Sequence, residues 1–423
     1  MLIEQLDLEE LAQRYETPLI VYSEARLLQN ISLLRSALPN RAELIFSLKA
    51  SYNPAVLHVL YEQGLLVETA SEGEFVHATN YGIQGDRILY GGPIKQASGI
   101  TKALQKGTFC FNVESEQDLL RVKECAERLA QPATVLFRLN APAASTDTIF
   151  AMSGARSRFG VEEEQLADLV ALCTDGTVSY GGLFMYAGSQ YLDAESIVRN
   201  TRALCHIAKR QRQQGLPAAS ILDFGGGFGV PETPEQQPLC LEQLHAGLTQ
   251  VFEEELPALV DDGLSRVFFE SGRFLTTTAA VVVTKVMDVK RTGENRHIIV
   301  DSGLNNLGIK QMRESYVAPV SVLGKEEGDR DGFAEIFGPT CLPFDFVRRR
   351  ARFPEVEVGD LLLVHNCGAY SIGVSPANFC GHPSPAEIIV KTDGSHFITR
   401  HRAKIADACG MGYVAPSTSI ASA

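Results

Sequence analysis

The stretch AELIFSLKA, residues 42–50, sets the reading of the whole chain. Leu44, Ile45, Phe46 and Leu48 form a short apolar run between polar residues, the pattern of a buried strand. Lys49 sits at its C-terminal end, where strand meets loop. An ammonium in apolar surroundings is costly, so a lysine there is expected to give up its proton and serve as a usable amine. The plainer alternative is a strand-end lysine whose stem lies on apolar surface while its head reaches water. What separates the two is the rest of the chain.

Working outward from 42–50, a rhythm appears. Apolar and β-branched runs at 42–48, 65–70, 87–90, 108–113, 133–140, 179–186, 220–224 and 266–270 read as strands. Between them, helical spacing covers 54–63, 72–81, 97–106, 115–129, 162–173, 193–213 and 241–252. Eight strands alternating with helices over this length predict a (β/α)8 barrel, in which chemistry gathers on the loops at the C-terminal strand ends. After Phe274 the texture changes. Runs at 276–290, 297–303, 360–366 and 386–394 are β-branched with short polar turns, and predict a mostly antiparallel β domain. The expected division is a barrel over 24–277 and a β domain from 1–23 plus 278–423, with LIVYS at 19–23 free to pair back into it. A helix is expected over 3–15.

Composition narrows the function. The 423 residues are 45% apolar and 21% charged, ordinary for a protein with a large core. A net charge of −13 argues against nucleic acid or an anionic membrane as the main partner. The nine cysteines are scattered without a CxxC. The opening MLIEQLDLEELAQRY lacks a basic n-region and apolar h-region, and no run of eighteen apolar residues occurs. A cytoplasmic protein with reduced thiols and no metal is the expectation.

The strand ends then assemble a site. They present Lys49, Glu68, Arg138 with Asn140, Tyr186 with Gly188 and Ser189, Gly225–Gly227, and Glu270 with Gly272 and Arg273. DFGGGFG at 223–229 is a strand running into glycines, whose bare backbone lets N–H groups approach a phosphate, although glycines also make plain turns. Barrel phosphate sites usually come from the loops after the seventh and eighth strands, here GGG and ESGR. Arg273 can add a charge-assisted bond. Glu270 is placed to keep a pyridine nitrogen protonated, and the alternative is an i to i+3 ion pair with Arg273.

Lys49 in FSLKASYNP, GSQ at 188–190, DFGGGFG, ESGR, GPTCLPFD at 338–345 and GAYS at 368–371 together resemble the fold-type III pyridoxal-phosphate decarboxylases, which include diaminopimelate and ornithine decarboxylases. The resemblance runs from about residue 19 to 389. It implies an alanine racemase/ornithine decarboxylase-like fold, pyridoxal 5′-phosphate as cofactor, and removal of carbon dioxide from Cα of an amino acid. It makes Lys49 the Schiff-base lysine and Glu270 the partner of the pyridinium. Ser189, Gly226, Gly227, Gly272 and Arg273 become the phosphate cradle, with Tyr370 reaching the phosphate. Glu68, Arg138 and Tyr186 complete the cofactor's surroundings. Cys341 becomes the residue working on Cα, with Arg313, Tyr316 and Asp345 toward the substrate. It further implies a homodimer in which Cys341 and Tyr370 enter the partner's site.

Two departures matter. Tyr186 stands near where relatives place a stacking histidine; it can stack but carries no imidazolium charge. Leu342 follows Cys341 where acid-reading relatives carry Asp or Glu for the far ammonium of a diamino acid. Leucine cannot pair a cation, whereas Lys310, Arg313 and Arg348–Arg350 can meet carboxylates. The expected substrate is therefore carboxylate-bearing or already conjugated, as in siderophore-type biosynthesis with a citryl-diaminopropionate-like substrate. The alternatives are diaminopimelate decarboxylation, a racemase or epimerase on the same scaffold, and a non-catalytic pyridoxal-phosphate carrier. A 17-residue stretch, 141–157, is expected to form a lid.

Overall fold

The computed structural model describes all residues except 1, 4–5, 141–149, 153, 155–156, 175, 294, 309–311, 314–315, 326–331, 378 and 406–423. The chain divides into two compact units, Glu24–Ala279 and Met1–Ser23 with Ala280–Ala423.

The first unit is a closed parallel barrel. Its strands are β1 (Ala42–Ser47), β2 (Leu66–Thr69), β3 (Ile88–Tyr90), β4 (Cys110–Val113), β5 (Ala133–Leu139), β6 (Val178–Met185), β7 (Ile221–Asp223) and β8 (Arg266–Ser271), and β8 pairs back onto β1. Every strand is buried on both faces or nearly so, which is why each reads as an apolar run rather than an alternation. One side chain per strand fills the middle of the barrel: Ile45, Leu66, Leu89, Cys110, Leu136, Phe184, Ile221 and Phe268. Each apolar member fully removed from water contributes about 1.5–3 kcal/mol. Below this layer the Arg266 guanidinium grips Glu43 with two bonds of 2.8 and 2.7 Å and lies over the rings of Phe109 and Phe268. The barrel is thereby plugged at its N-terminal mouth.

Side chains alternate along a strand, so the residue two positions beyond each filler points inward one layer higher. Those positions are Ser47, Glu68, Gly91, Asn112, Arg138, Tyr186, Asp223 and Glu270. A polar layer therefore stands directly on an apolar one, facing the C-terminal mouth.

The returning helices are fastened at that mouth by side-chain caps. Asn53 accepts from the Ala55 and Val56 N–H groups ahead of the helix at Pro54–Glu62; Ser71, Ser115 and Asp193 cap the helices at Glu72–Asn80, Glu116–Leu129 and Ala194–Gln213. The helix expected over 162–173 divides into a 3-10 turn at Glu163–Gln165 and an α-helix at Leu166–Ala171.

The second unit is a nine-stranded, mostly antiparallel sheet. Leu19–Ser23 lies inside it, antiparallel to Ala280–Thr292 and parallel to Ala386–Val390. The helix expected over 3–15 spans only Leu8–Tyr15, because Asp7 adopts an extended conformation and its carboxylate caps the Glu9 N–H. Among the described residues no helix is long and apolar enough to cross a membrane.

Candidate active site

The C-terminal mouth of the barrel holds the residues the sequence singled out. After β1 the chain enters a 3-10 turn at Leu48–Ala50, closed by a 3.0 Å bond from the Ser51 N–H to the Leu48 carbonyl. This turn presents Lys49. Its Nζ donates to Glu68 Oε2 at 2.8 Å, and the two side chains are 37% and 6% exposed. The apolar neighbourhood expected for Lys49 is thus corrected: β2 supplies a carboxylate, because Ser47 and Glu68 are register neighbours on adjacent strands. The amine is accessible and held in place by its ion pair.

Arg138 on β5 is buried and pairs with Glu114 at 2.8 Å. Glu114 follows β4 and also accepts from the Gly160 N–H. The guanidinium lies 4.5 Å from the Phe159 ring centroid, 5.5 Å from Phe184 and 6.0 Å from Tyr186. Its second terminal nitrogen, Nη2, is buried and has no partner among the described residues.

Glu270 on β8 is buried with Oε1 unpaired. Burial, followed by the charges of Asp223 and Glu68, holds its carboxyl well above the usual range. The alternative ion pair to Arg273 is not formed; Arg273 instead lies 3.6 Å from Glu232. Asp223 ends β7, fully buried beside Glu270, and burial likewise pushes its carboxyl up. Asn112 on β4 is 1% exposed with both amide atoms unpaired. Glu114, Asn112 and Asp223 were not marked as site residues from sequence. The signal was present: each continues the two-residue step up a strand from its apolar filler, Asn112 and Asp223 by one step and Glu114 by two.

The loops after β6, β7 and β8 form a tight backbone cradle. Gly225 and Gly227 have φ of +65° and +104°. A Cβ on Gly226 would lie 2.2 Å from the Glu270 carbonyl oxygen, and one on Gly227 2.6 Å from the Gly188 carbonyl oxygen. The loops are zipped together: Tyr191 N–H donates to Gly227 O at 2.8 Å, Gly229 N–H to Tyr191 O at 2.9 Å, and Glu270 N–H to Gly225 O at 2.7 Å. Gln190 adds side-chain bonds to both polar groups of Val230. Ser189 is half-buried at the rim, and Gly272 and Arg273 begin the turn after β8. A Cβ on Gly272 would lie 2.6 Å from that of Ala50, so the lysine-bearing turn and the β8 turn touch. An accessible amine, a buried carboxyl with an open oxygen, an unpaired guanidinium nitrogen and a glycine cradle fit the aldehyde, ring nitrogen and phosphate of pyridoxal phosphate. The Gly226→Ala protein should bind pyridoxal phosphate at least about tenfold more weakly, since each 1.4 kcal/mol of displaced backbone is a factor of ten. Fluorescence titration of the cofactor-free variant checks this.

The second unit carries the remaining residues. Cys341 is exposed, and a contact with Cys380 raises its thiol. Tyr370 is half-buried with φ +52°. Tyr316 is buried with the Arg313 guanidinium 5.9 Å from its ring centroid. Asp345, expected to face substrate, is engaged elsewhere. Its buried carboxylate accepts from the Leu304 N–H at 2.6 Å, the Thr340 N–H at 2.9 Å and the Thr340 hydroxyl at 2.6 Å. It pins the loop bearing Cys341 and has little capacity left for a ligand. Arg348 donates to the Ala318 carbonyl, Arg349 lies over Phe346 and Arg350 over Phe333. Lys310 and the expected lid at 141–149, 153 and 155–156 lie outside the described residues.

An eight-stranded barrel with this mouth, joined in one chain to a mostly antiparallel sheet, defines a class of cofactor-dependent lyases. Residues 24–277 match the family model "Pyridoxal-dependent decarboxylase, pyridoxal binding domain", and the chain belongs to that family. It is 29% identical to L-glutamyl-[BtrI acyl-carrier protein] decarboxylase of Niallia circulans over 95% of each chain. It is 30% identical to diaminopimelate decarboxylase of Methanothermobacter thermautotrophicus over 96% of this chain and 94% of that one. The solved diaminopimelate decarboxylase of M. jannaschii in complex with L-lysine superposes with a TM-score of 0.86, 25% identity and coverage of 97% and 95%. The protein is a pyridoxal-phosphate-dependent decarboxylase.

Proposed function

We propose that this decarboxylase acts on an amino acid whose side-chain end is conjugated or carries a carboxylate, and not on a free diamino acid. The observation that carries the reading is Leu342, half-buried directly after Cys341. An ammonium brought against leucine without a partner loses several kcal/mol, so ornithine, lysine and diaminopimelate are poor fits. The name of the Niallia relative describes a substrate of the conjugated kind, a glutamyl group on a carrier protein. A siderophore precursor such as citryl-diaminopropionate has the same chemistry.

In this reading Lys49 carries the cofactor and later releases the product amine. When bound, pyridoxal phosphate supplies an electron sink for the pair left on Cα as carbon dioxide departs. Glu270 would pair with the ring nitrogen of the bound cofactor; its Oε1 has no partner among the described residues. Gly226, Gly227, Gly272, Arg273 and Ser189 would hold the phosphate, Arg138 would offer its second terminal nitrogen, and Tyr186 would stack on the ring. Cys341 protonates Cα and Tyr370 reaches the phosphate, both from the second protomer of a homodimer. Glu270 favours decarboxylation over racemisation, because a carboxylate keeps the ring protonated and the sink deep.

The test is a panel assay of carbon dioxide release. Glutamyl thioester on a carrier protein and citryl-diaminopropionate are set against diaminopimelate, lysine, ornithine and glutamate. A conjugated substrate should exceed every free diamino acid by at least about 10²-fold in kcat/KM, the factor for roughly 2.7 kcal/mol. Rapid turnover of diaminopimelate would restore the lysine-pathway reading.

A further inference from the structure

Asp223 and Glu270 are adjacent carboxyls at the top of β7 and β8, and both are inaccessible: Asp223 is 0% exposed and Glu270 4%. Asp223 Oδ1 takes the Gly225 N–H at 2.9 Å, while Asp223 Oδ2 and Glu270 Oε1 have no donor among the described residues. The two carboxyls end neighbouring strands: Asp223 is in register with Phe268 of β8, and the Glu270 N–H donates to the Gly225 carbonyl at 2.7 Å, so two buried carboxyls stand side by side where keeping both ionised is costly.

The surrounding charges do not remove the need for that proton. Facing the pair are Lys49, Glu68, Arg138 and the thiol of Cys110. Lys49 is already paired with Glu68 at 2.8 Å and Arg138 with Glu114 at 2.8 Å. These two ion pairs are each neutral overall, so among the described residues the two buried carboxylates have no counter-charge of their own unless one is protonated. Burying two adjacent like charges is far costlier than keeping one neutral.

We infer that Asp223 is a positioning residue that shares one proton with Glu270, so that the protein carries at this point the proton a pyridine nitrogen takes up. With a pyridine nitrogen bound against the pair, the shared proton could pass from the carboxyl to that nitrogen with no change in the net charge of the cluster. Asp223 also holds the Glu270 carboxylate against rotation through its own fixed bond to Gly225. This rests on the assignment of Glu270 to the ring nitrogen for its purpose, but not for its test.

The proton can be read without cofactor or substrate. Full-length protein is stripped of pyridoxal phosphate with hydroxylamine, and restored absorbance on adding pyridoxal phosphate shows that it remains native. Infrared difference spectra near neutral pH, wild type minus Asp223→Asn and wild type minus Glu270→Gln, should each show a protonated-carboxyl carbonyl band of the wild type. Either amide can donate to the remaining carboxylate, so each substitution removes the need for the proton. Urea unfolding supplies a second reading. With Asp223 pushed up to about 7, the folded wild type binds more protons than the unfolded chain from the ordinary carboxylate range up to that pH. Its stability therefore falls as pH rises through that window, and the Asp223→Asn protein should show a slope shallower by about one proton. A wild-type spectrum without the band, or a band and slope unchanged in Asp223→Asn, would overturn the inference. Should that happen while Glu270→Gln still loses turnover, only the sharing fails and the role of Glu270 stands.

Discussion

Lys49→Ala protein should leave the column colourless and release no carbon dioxide from any substrate that the wild type accepts. In the proposed assignment the covalent link to pyridoxal phosphate and the amine that later displaces the product are one atom, Nζ of Lys49, so a single truncation removes both. Alanine has a side effect that must be separated from this. It leaves Glu68 buried without its ammonium, and an uncompensated buried charge costs about 3–5 kcal/mol. Lys49→Arg supplies the control: the guanidinium keeps a cation beside Glu68 but cannot form the link. Both variants should therefore lack visible absorbance after gel filtration and lack turnover, while Lys49→Arg unfolds closer to the wild type. Borohydride reduction of the wild type followed by peptide mapping should label Lys49. A label on another lysine would end the assignment.

Glu270→Gln should keep the colour and lose most of the rate. The cradle glycines and Lys49 are untouched, so cofactor binding persists. What disappears is the carboxylate proposed to hold the ring nitrogen in its charged form. Losing one partner of a buried charged pair is worth about 3–5 kcal/mol, which corresponds to a fall in kcat on the order of 10²–10⁴. The absorbance of the bound cofactor should also change with pH differently from the wild type. Normal turnover by Glu270→Gln would mean that the ring nitrogen needs no acid partner here, and the role proposed for Glu270 would fall.

The barrel was legible because burial on both faces turns each strand into an apolar run, and because helices must return the chain between parallel strands. Lys49, Glu270 and the glycines were legible as motifs at strand ends. The partners were not. Glu68 beside Lys49, Glu114 beside Arg138 and Asp223 beside Glu270 depend on which strands lie next to one another and in what register. Local spacing does not contain that information. Arg273 shows the same limit: three residues from Glu270 in sequence, it sits instead by Glu232, because the chain turns between them. Asp345 failed for a different reason. A carboxylate near a functional cysteine reads as a ligand, yet three donors from nearby loops occupy it.

The place of Leu19–Ser23 between Ala280–Thr292 and Ala386–Val390 bears on how the chain matures. Those five residues leave the ribosome early, yet the neighbours on either side of them arrive only after the whole barrel has been synthesised. The barrel has every strand it needs by Ser271, so it can close while the early strand still waits. LIVYS is apolar and unpaired during that interval, an open edge exposed to other nascent copies. Aggregation during expression is then governed by how long translation takes to reach Val390, and slower synthesis of the final third lengthens that exposure.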